Sequence, residues 1–114
     1  MMMRFVMVPP GGGEANYSLD FDLPSIPRAG DCVSIRRGSA NHTEDFVVRR
    51  SMWKLAYPEA SGHSAPAGEH GQFIGIVVEC EFAIGLFSSE SHKRTCEGYE
   101  STTGKLHRFD DTAY

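Results

Sequence analysis

The sequence predicts a mainly β fold, a curled antiparallel sheet or small barrel of about five strands followed by one C-terminal α-helix. Three observations carry that expectation. Runs of Val, Ile, Phe and Trp alternate with polar residues and are punctuated by Gly, Pro, Asn and Asp, so a period of two dominates most of the chain. In the long run Asp45–Tyr57 the alternation breaks once, as it does where a β-bulge bends a strand. Helix signals begin only after Gly85.

The elements follow in order. Met2–Val8 is apolar enough for a first strand and stops at Pro9-Pro10-Gly11-Gly12-Gly13, where proline lacks the donor that a ladder needs. Tyr17, Leu19 and Phe21 alternate with Ser18, Asp20 and Asp22, a half-buried strand returning against the first as a hairpin. Pro24 and Pro27 extend the next connection, and Ala29-Gly30-Asp31 turns it into a strand at Cys32–Arg37 with Val33 and Ile35 on one face.

The polar turn Gly38–Thr43 leads into Asp45–Tyr57. Phe46 and Val48 share one parity there, and Trp53, Leu55 and Tyr57 the other. One extra residue near Arg49-Arg50-Ser51 returns both sets to the same side, so a bulge is predicted there and Trp53 is read as a core anchor, with Tyr57 also buried. Pro58–Gly71 is rich in Gly, Ala, Pro and Ser without periodicity and reads as a mobile loop. In Gln72–Ala83, the principal core strand, Ile74, Ile76, Val78, Cys80 and Phe82 face inward while Glu79 and Glu81 face solvent.

Ser88 or Ser89 caps a helix over about 89–99, Glu90 suits its first turn, and Gly98 or Gly104 ends it. His92, Cys96 and Tyr99 form its packing stripe. Residues 1–100 thus read as a single β-rich domain with a terminal helix. Residues 101–114 read as a polar tail that frays, with Leu106 and Phe109 able to dock.

Composition narrows the function. With 114 residues, 40% hydrophobic and 23% charged, the chain suits one globular domain with a modest core. Its formal charge of −4 weakens long-range attraction to nucleic acid and anionic membranes. Cys32, Cys80 and Cys96 are odd in number, without CxxC spacing, and two of them sit in apolar strand patterns, which points to a reducing cytoplasm. The opening MMMRFVMV ends at Pro9-Pro10 without a cleavage pattern, so no signal peptide is read, and no stretch reaches the ~20 apolar residues of a membrane span.

Four arginines are the sharpest candidate site: Arg36, Arg37, Arg49 and Arg50. If their strands pair, they come together near the open end of the hairpin. The segment 28–54 carries six Lys or Arg against three Asp or Glu, while the rest carries five against twelve. Such a patch suits an anionic partner, nucleic acid included. The favoured alternative is a solvated strand face whose arginines pair across strands with Glu44, Asp45, Glu79 and Glu81. Exposed aromatics among the arginines would favour nucleic acid.

His92 and Cys96, one helical turn apart, offer two metal ligands or a thiol with its base. Zinc needs three or four ligands, and His63, His70 and His107 show no ligand-pair spacing, so no metal and no cofactor is expected. The pair lacks an orienting third group, and Gly11-Gly12-Gly13 lacks the Lys-Ser/Thr and helix of a phosphate loop, so catalysis is disfavoured.

LPSIPRAGD, followed by Phe46-x-Val48 and Trp53-x-Leu55, resembles a loose set of small bacterial proteins with SH3-like or related small β-barrels. The resemblance covers roughly residues 19–82 and implies a fold without site residues, since small barrels host many unrelated functions. The expectation is a non-enzymatic binding or adaptor module for an unknown protein or anionic partner, without a membrane. Nucleic-acid binding through the arginines is the alternative, and a small metal-dependent or thiol enzyme comes third. An uncovered apolar edge at Met1–Val8 adds a homo-oligomer to the partners considered.

Overall fold

Two hairpins flank one long strand. In the computed structural model, which describes residues 1–38, 42–58 and 70–109, Met2–Val8 (β1) pairs antiparallel with Tyr17–Asp22 (β2), setting Phe5 opposite Leu19 and Met7 opposite Tyr17. Cys32–Arg36 (β3) pairs antiparallel with Thr43–Ala56 (β4), which pairs antiparallel with Gln72–Ile84 (β5). Glu90–Thr103 (α1) and the short strand His107–Arg108 (β6) follow. The strand order is β2-β1-β5-β4-β3, a curled open half-barrel with one C-terminal helix.

The sheet is mixed, not purely antiparallel. β1 runs parallel to β5, from Arg4 opposite Val77 to Val8 opposite Glu81. No hairpin turn links these two strands, so local turn chemistry does not dictate their direction. Where β1 leaves at Pro9, β6 takes over the same edge of β5, with Ala83 opposite His107, and Phe109 N–H donates to Ile84 O at 2.8 Å. The tail therefore docks through its backbone as far as Phe109, instead of fraying from 101. The Pro58–Gly71 loop falls largely outside the described residues, as do the tip of the 38–43 turn and the last five residues.

The core lies on the concave face. Met3, Phe5 and Met7 of β1, Phe46 and Val48 of β4, and Val78, Cys80 and Phe82 of β5 are buried there. Each such large side chain contributes roughly 1.5–3 kcal/mol relative to exposure. The helix closes one end of the trough. Ser89 is its N-cap and accepts from His92 N, Tyr99 packs 5.2 Å from the Phe82 ring, and His92 stacks on Phe82 at 5.7 Å. It runs past Gly98 to Thr103 and ends on Gly104, whose φ of 73° suits the left-handed cap.

The bulge falls where the broken alternation puts it. Val48 sits opposite Cys80 but Arg50 opposite Glu79, so Arg49 is the extra residue. Beyond it Ser51 faces Val78 and Trp53 faces Ile76, which places Trp53 on the side of Phe46 and Val48. Its burial does not follow. Trp53 is 59% exposed, Leu55 68% and Tyr57 59%, because β4 and β5 outrun their neighbours. β3 stops pairing at Cys32–Val47 and β1 at Arg4–Val77, so the far ends of β4 and β5 project as a two-stranded arm.

A second irregularity beside Lys54/Leu55 makes Ile74 the extra residue on β5 and turns it outward, away from Ile76. The arm stretches the molecule to 56 × 29 × 24 Å with a radius of gyration of 17.8 Å. A compact chain of this length has about 13 Å.

Gly85 closes the body against the tail. A Cβ there would lie 2.5 Å from Phe109 Cε2 and 2.7 Å from Asp45 Cγ, whereas Gly98 faces open space inside the helix. Gly85→Ala is expected to destabilise the fold by roughly 1–3 kcal/mol. Gly98→Ala is expected to stabilise it by about 0.5–1 kcal/mol. Thermal denaturation of the two variants checks both signs.

Candidate functional site

The register separates the four arginines. Arg36 lies opposite Thr43 at the turn end of the β3–β4 hairpin, while Arg49 and Arg50 lie beyond Cys32–Val47 at the other end. Six residues of strand put the two pairs about 20 Å apart, so they do not converge as the expected single patch. Three of the four hold carboxylates. Arg37 Nη1 donates to Glu44 Oε1 at 2.8 Å, with its guanidinium carbon 5.5 Å from the centre of the Tyr17 ring. Arg50 Nε donates to Glu79 Oε2 at 2.5 Å, and Arg49 lies 3.5 Å from Glu79 and 3.7 Å from Glu81. Arg36 is exposed and makes no ion pair among the described residues.

Glu79 and Glu81 are buried rather than solvent-facing. The Pro9–Gly13 turn and β6 cover their side of the sheet: Gly11 N–H donates to Glu81 Oε1 at 2.5 Å, and His107 Nε2 lies 3.2 Å from Glu81 Oε2. Parity placed these carboxylates opposite the core correctly, but the covering layer came from the two chain ends. Glu44, also buried, accepts from the Tyr17 hydroxyl at 2.7 Å. Burial first, and then this bond, raise the Tyr17 phenol well above its ordinary value.

The His92–Cys96 pair is present and occupied. His92 Nε2 lies 2.9 Å from Asp45 O and 2.8 Å from Ala83 O. Two carbonyl oxygens outweigh the one amide N–H, that of Asp45 at 3.1 Å, so this nitrogen carries the hydrogen. Cys96 Sγ sits 3.4 Å from the same nitrogen, which therefore cannot act as the thiol's base. Burial pushes the Cys96 thiol up to about 12, and Cys80 likewise.

Asp45, fully buried, is a further polar centre that pattern reading assigned to surface pairing. Its carboxylate accepts from Ser34 and, at 2.5 Å, from Ser88, whose oxygen accepts from Gly85 N–H at 2.8 Å. These groups tie β3, β4 and the entry to α1 together. Among the described residues no three His, Cys, Asp or Glu gather as a metal site.

The arm is the surface that remains. Met52, Trp53, Leu55 and Tyr57 on the β4 side and Phe73 and Ile74 on β5 are all exposed. Trp53 and Phe73 meet edge to face at 6.2 Å. Residues 46–58 and 70–78 contain Arg49, Arg50 and Lys54 and no Asp or Glu, in a chain with fifteen. Beside Trp53, a cleft of about 600 Å³ opens between β4 and the 25–29 connection, walled by Ile26, Pro27, Arg28, Ser51 and Trp53. Sequence reading missed this surface, although the signal was present: two strands about twice as long as their neighbours cannot be covered along their whole length.

Compared with known proteins, the chain matches no family model, no curated protein and no solved structure. Among the described residues, no helix is long and apolar enough to cross a membrane.

Thiol chemistry checks the buried pair. Cys32, which is exposed, is expected to react with a thiol reagent in the folded protein, and Cys80 and Cys96 only after unfolding. Unfolded thiols ionise near their ordinary value of 9.0, while these two hold their protons to about 12. The unfolded state therefore loses protons first, and stability falls as pH rises through that interval. Chemical denaturation at pH 8 and about pH 10.5 measures the fall.

Proposed function

We propose that this chain is a non-enzymatic binding module of the bacterial cytoplasm, built on a half-barrel related to SH3-like folds, that engages its partner through the β4–β5 arm. One observation carries the reading: six large apolar side chains stand exposed on an arm projecting from the body. Trp53, Leu55, Tyr57 and Phe73 share one face of the arm, and monomeric surfaces rarely group large apolar side chains in this way unless the patch meets something. The groups that resemble catalytic machinery support the same reading, since Asp45, Ser88, His92 and Cys96 are consumed in joining elements.

Trp53 is the anchor this reading names, because large aromatics dominate interface energetics. Trp53→Ala is expected to leave folding stability within about 0.5 kcal/mol, as for an exposed residue. Partner affinity is expected to fall by roughly 30-fold or more. A photoreactive residue at position 53 should capture the partner in cells, and one at the exposed Phe87 should not. Equal capture at both positions, or none at 53, counts against the arm.

A second reading, anion or nucleic-acid binding through Arg36, Arg37, Arg49 and Arg50, draws support from the exposure of Trp53 on the strand that carries Arg49-Arg50 and of Tyr57 just beyond its end. Bases stack on such rings while cations hold the backbone. Trp53 is the sole tryptophan, so its fluorescence reads a titration with single-stranded oligonucleotide directly. This reading expects quenching at about 50 mM salt that weakens by 200 mM and in Arg36→Ala and Arg50→Ala variants. Absence of quenching at the lower salt rules it out.

A further inference from the structure

We infer that the arm's partner is a second copy of this chain, joined antiparallel along the open edge of β4 about a two-fold axis at Leu55. The inference rests on the reading of the arm as the binding surface and names its occupant.

The main chain supplies the first argument. The 27–31 connection follows β4 only as far as Ser51, through Gly30 N–H to Val48 O at 2.9 Å and the Ser51 hydroxyl to Pro27 O at 2.7 Å. From Met52 to Ala56, β4 has β5 on one side and no strand on the other among the described residues. Such an edge is a template for another strand. The edge expected to pair from sequence, Met1–Val8, is unsuited, since β1 lies between β2 and β5.

Register supplies the second. A two-fold axis at Leu55 sets Leu55 opposite the partner's Leu55, Trp53 opposite the partner's Tyr57, and Lys54 opposite the partner's Ala56. Aromatic and aliphatic cross-strand pairs stabilise antiparallel strands. Moving the axis to residue 54 would set two lysines face to face, which is unfavourable. Moving it to Ala56 would break the Trp53–Tyr57 pair and leave Leu55 opposite Tyr57. The cleft beside Trp53 completes the fit: the partner's Tyr57, opposite Trp53, enters the space walled by Ile26 and Pro27. Each copy thus finishes the other's binding site.

Area sets the strength. Pairing along Met52–Ala56 covers side chains of β4 and leaves Phe73 and Ile74 of β5 on the far side of that strand, so the contact is small and suits a dimer that dissociates on dilution.

Sedimentation of the full chain is expected to give a dimer at roughly 100 µM that dissociates on dilution. Leu55→Asp, which sets two carboxylates together at an exposed position, is expected to weaken the dimer by at least about 100-fold with an unchanged circular dichroism spectrum. In a Cys32→Ser background, Leu55→Cys should form a disulfide-linked dimer on oxidation, because opposed residues of antiparallel strands lie about 4.5–5.5 Å apart at Cα. Phe87→Cys should not. A monomer up to about 1 mM overturns the inference, as does a dimer that survives Leu55→Asp or links through Phe87→Cys and not Leu55→Cys. A monomer that still captures a different protein through position 53 overturns the second copy and leaves the arm as the binding surface.

Discussion

Unequal strand length is the constraint from which the molecule's shape follows. β4 and β5 have 14 and 13 residues, while β1, β2 and β3 have 7, 6 and 5. Short strands cover only one half of a long ribbon. The covered half becomes a half-barrel with Phe5, Phe46 and Phe82 at its centre, and the uncovered half becomes an arm. The bulge at Arg49 sits at the border between them and keeps Trp53 and Leu55 on the face of Phe46 and Val48. Without it, Trp53 would point to the side of Glu79 and Glu81.

The body spends its polar groups on holding that curl. Asp45 receives two serine hydroxyls from different elements, and His92 reaches from the helix to the carbonyls of facing strands. On the other side of the sheet, Arg49 and Arg50 meet the carboxylates of β5 under the Pro9–Gly13 turn. Buried polar atoms need partners, and these find them. Among the described residues, the apolar arm is the most distinctive exposed surface.

Much of the fold was legible because alternation and turn chemistry are local. The two hairpins, the bulge and the Ser89 cap follow from neighbouring residues alone. What covers each face is not local. Parity sorted Trp53 from Glu79 correctly but could not say that the first would be bare and the second buried, because that depends on where β1, β3 and the chain ends lie. Ile74 was misplaced for a related reason: a bulge on β5 leaves no mark in a run of apolar residues that suits either face. The parallel pairing of β1 with β5 joins segments about seventy positions apart and has no turn to announce it. The arginines were expected as one patch because hairpin pairing was foreseen without its register, and the register separates them.

The ribbon has two halves of different character, one held within the body and one open along the edge of β4. Amide hydrogen exchange, resolved by residue and followed against protein concentration, tests it most directly. The account predicts slow exchange at Phe46–Val48 and Val78–Ile84 at every concentration. It also predicts exchange at Met52–Ala56 that is fast in dilute solution and slows as concentration rises. Uniform protection along all of β4 and β5, independent of concentration, would contradict it.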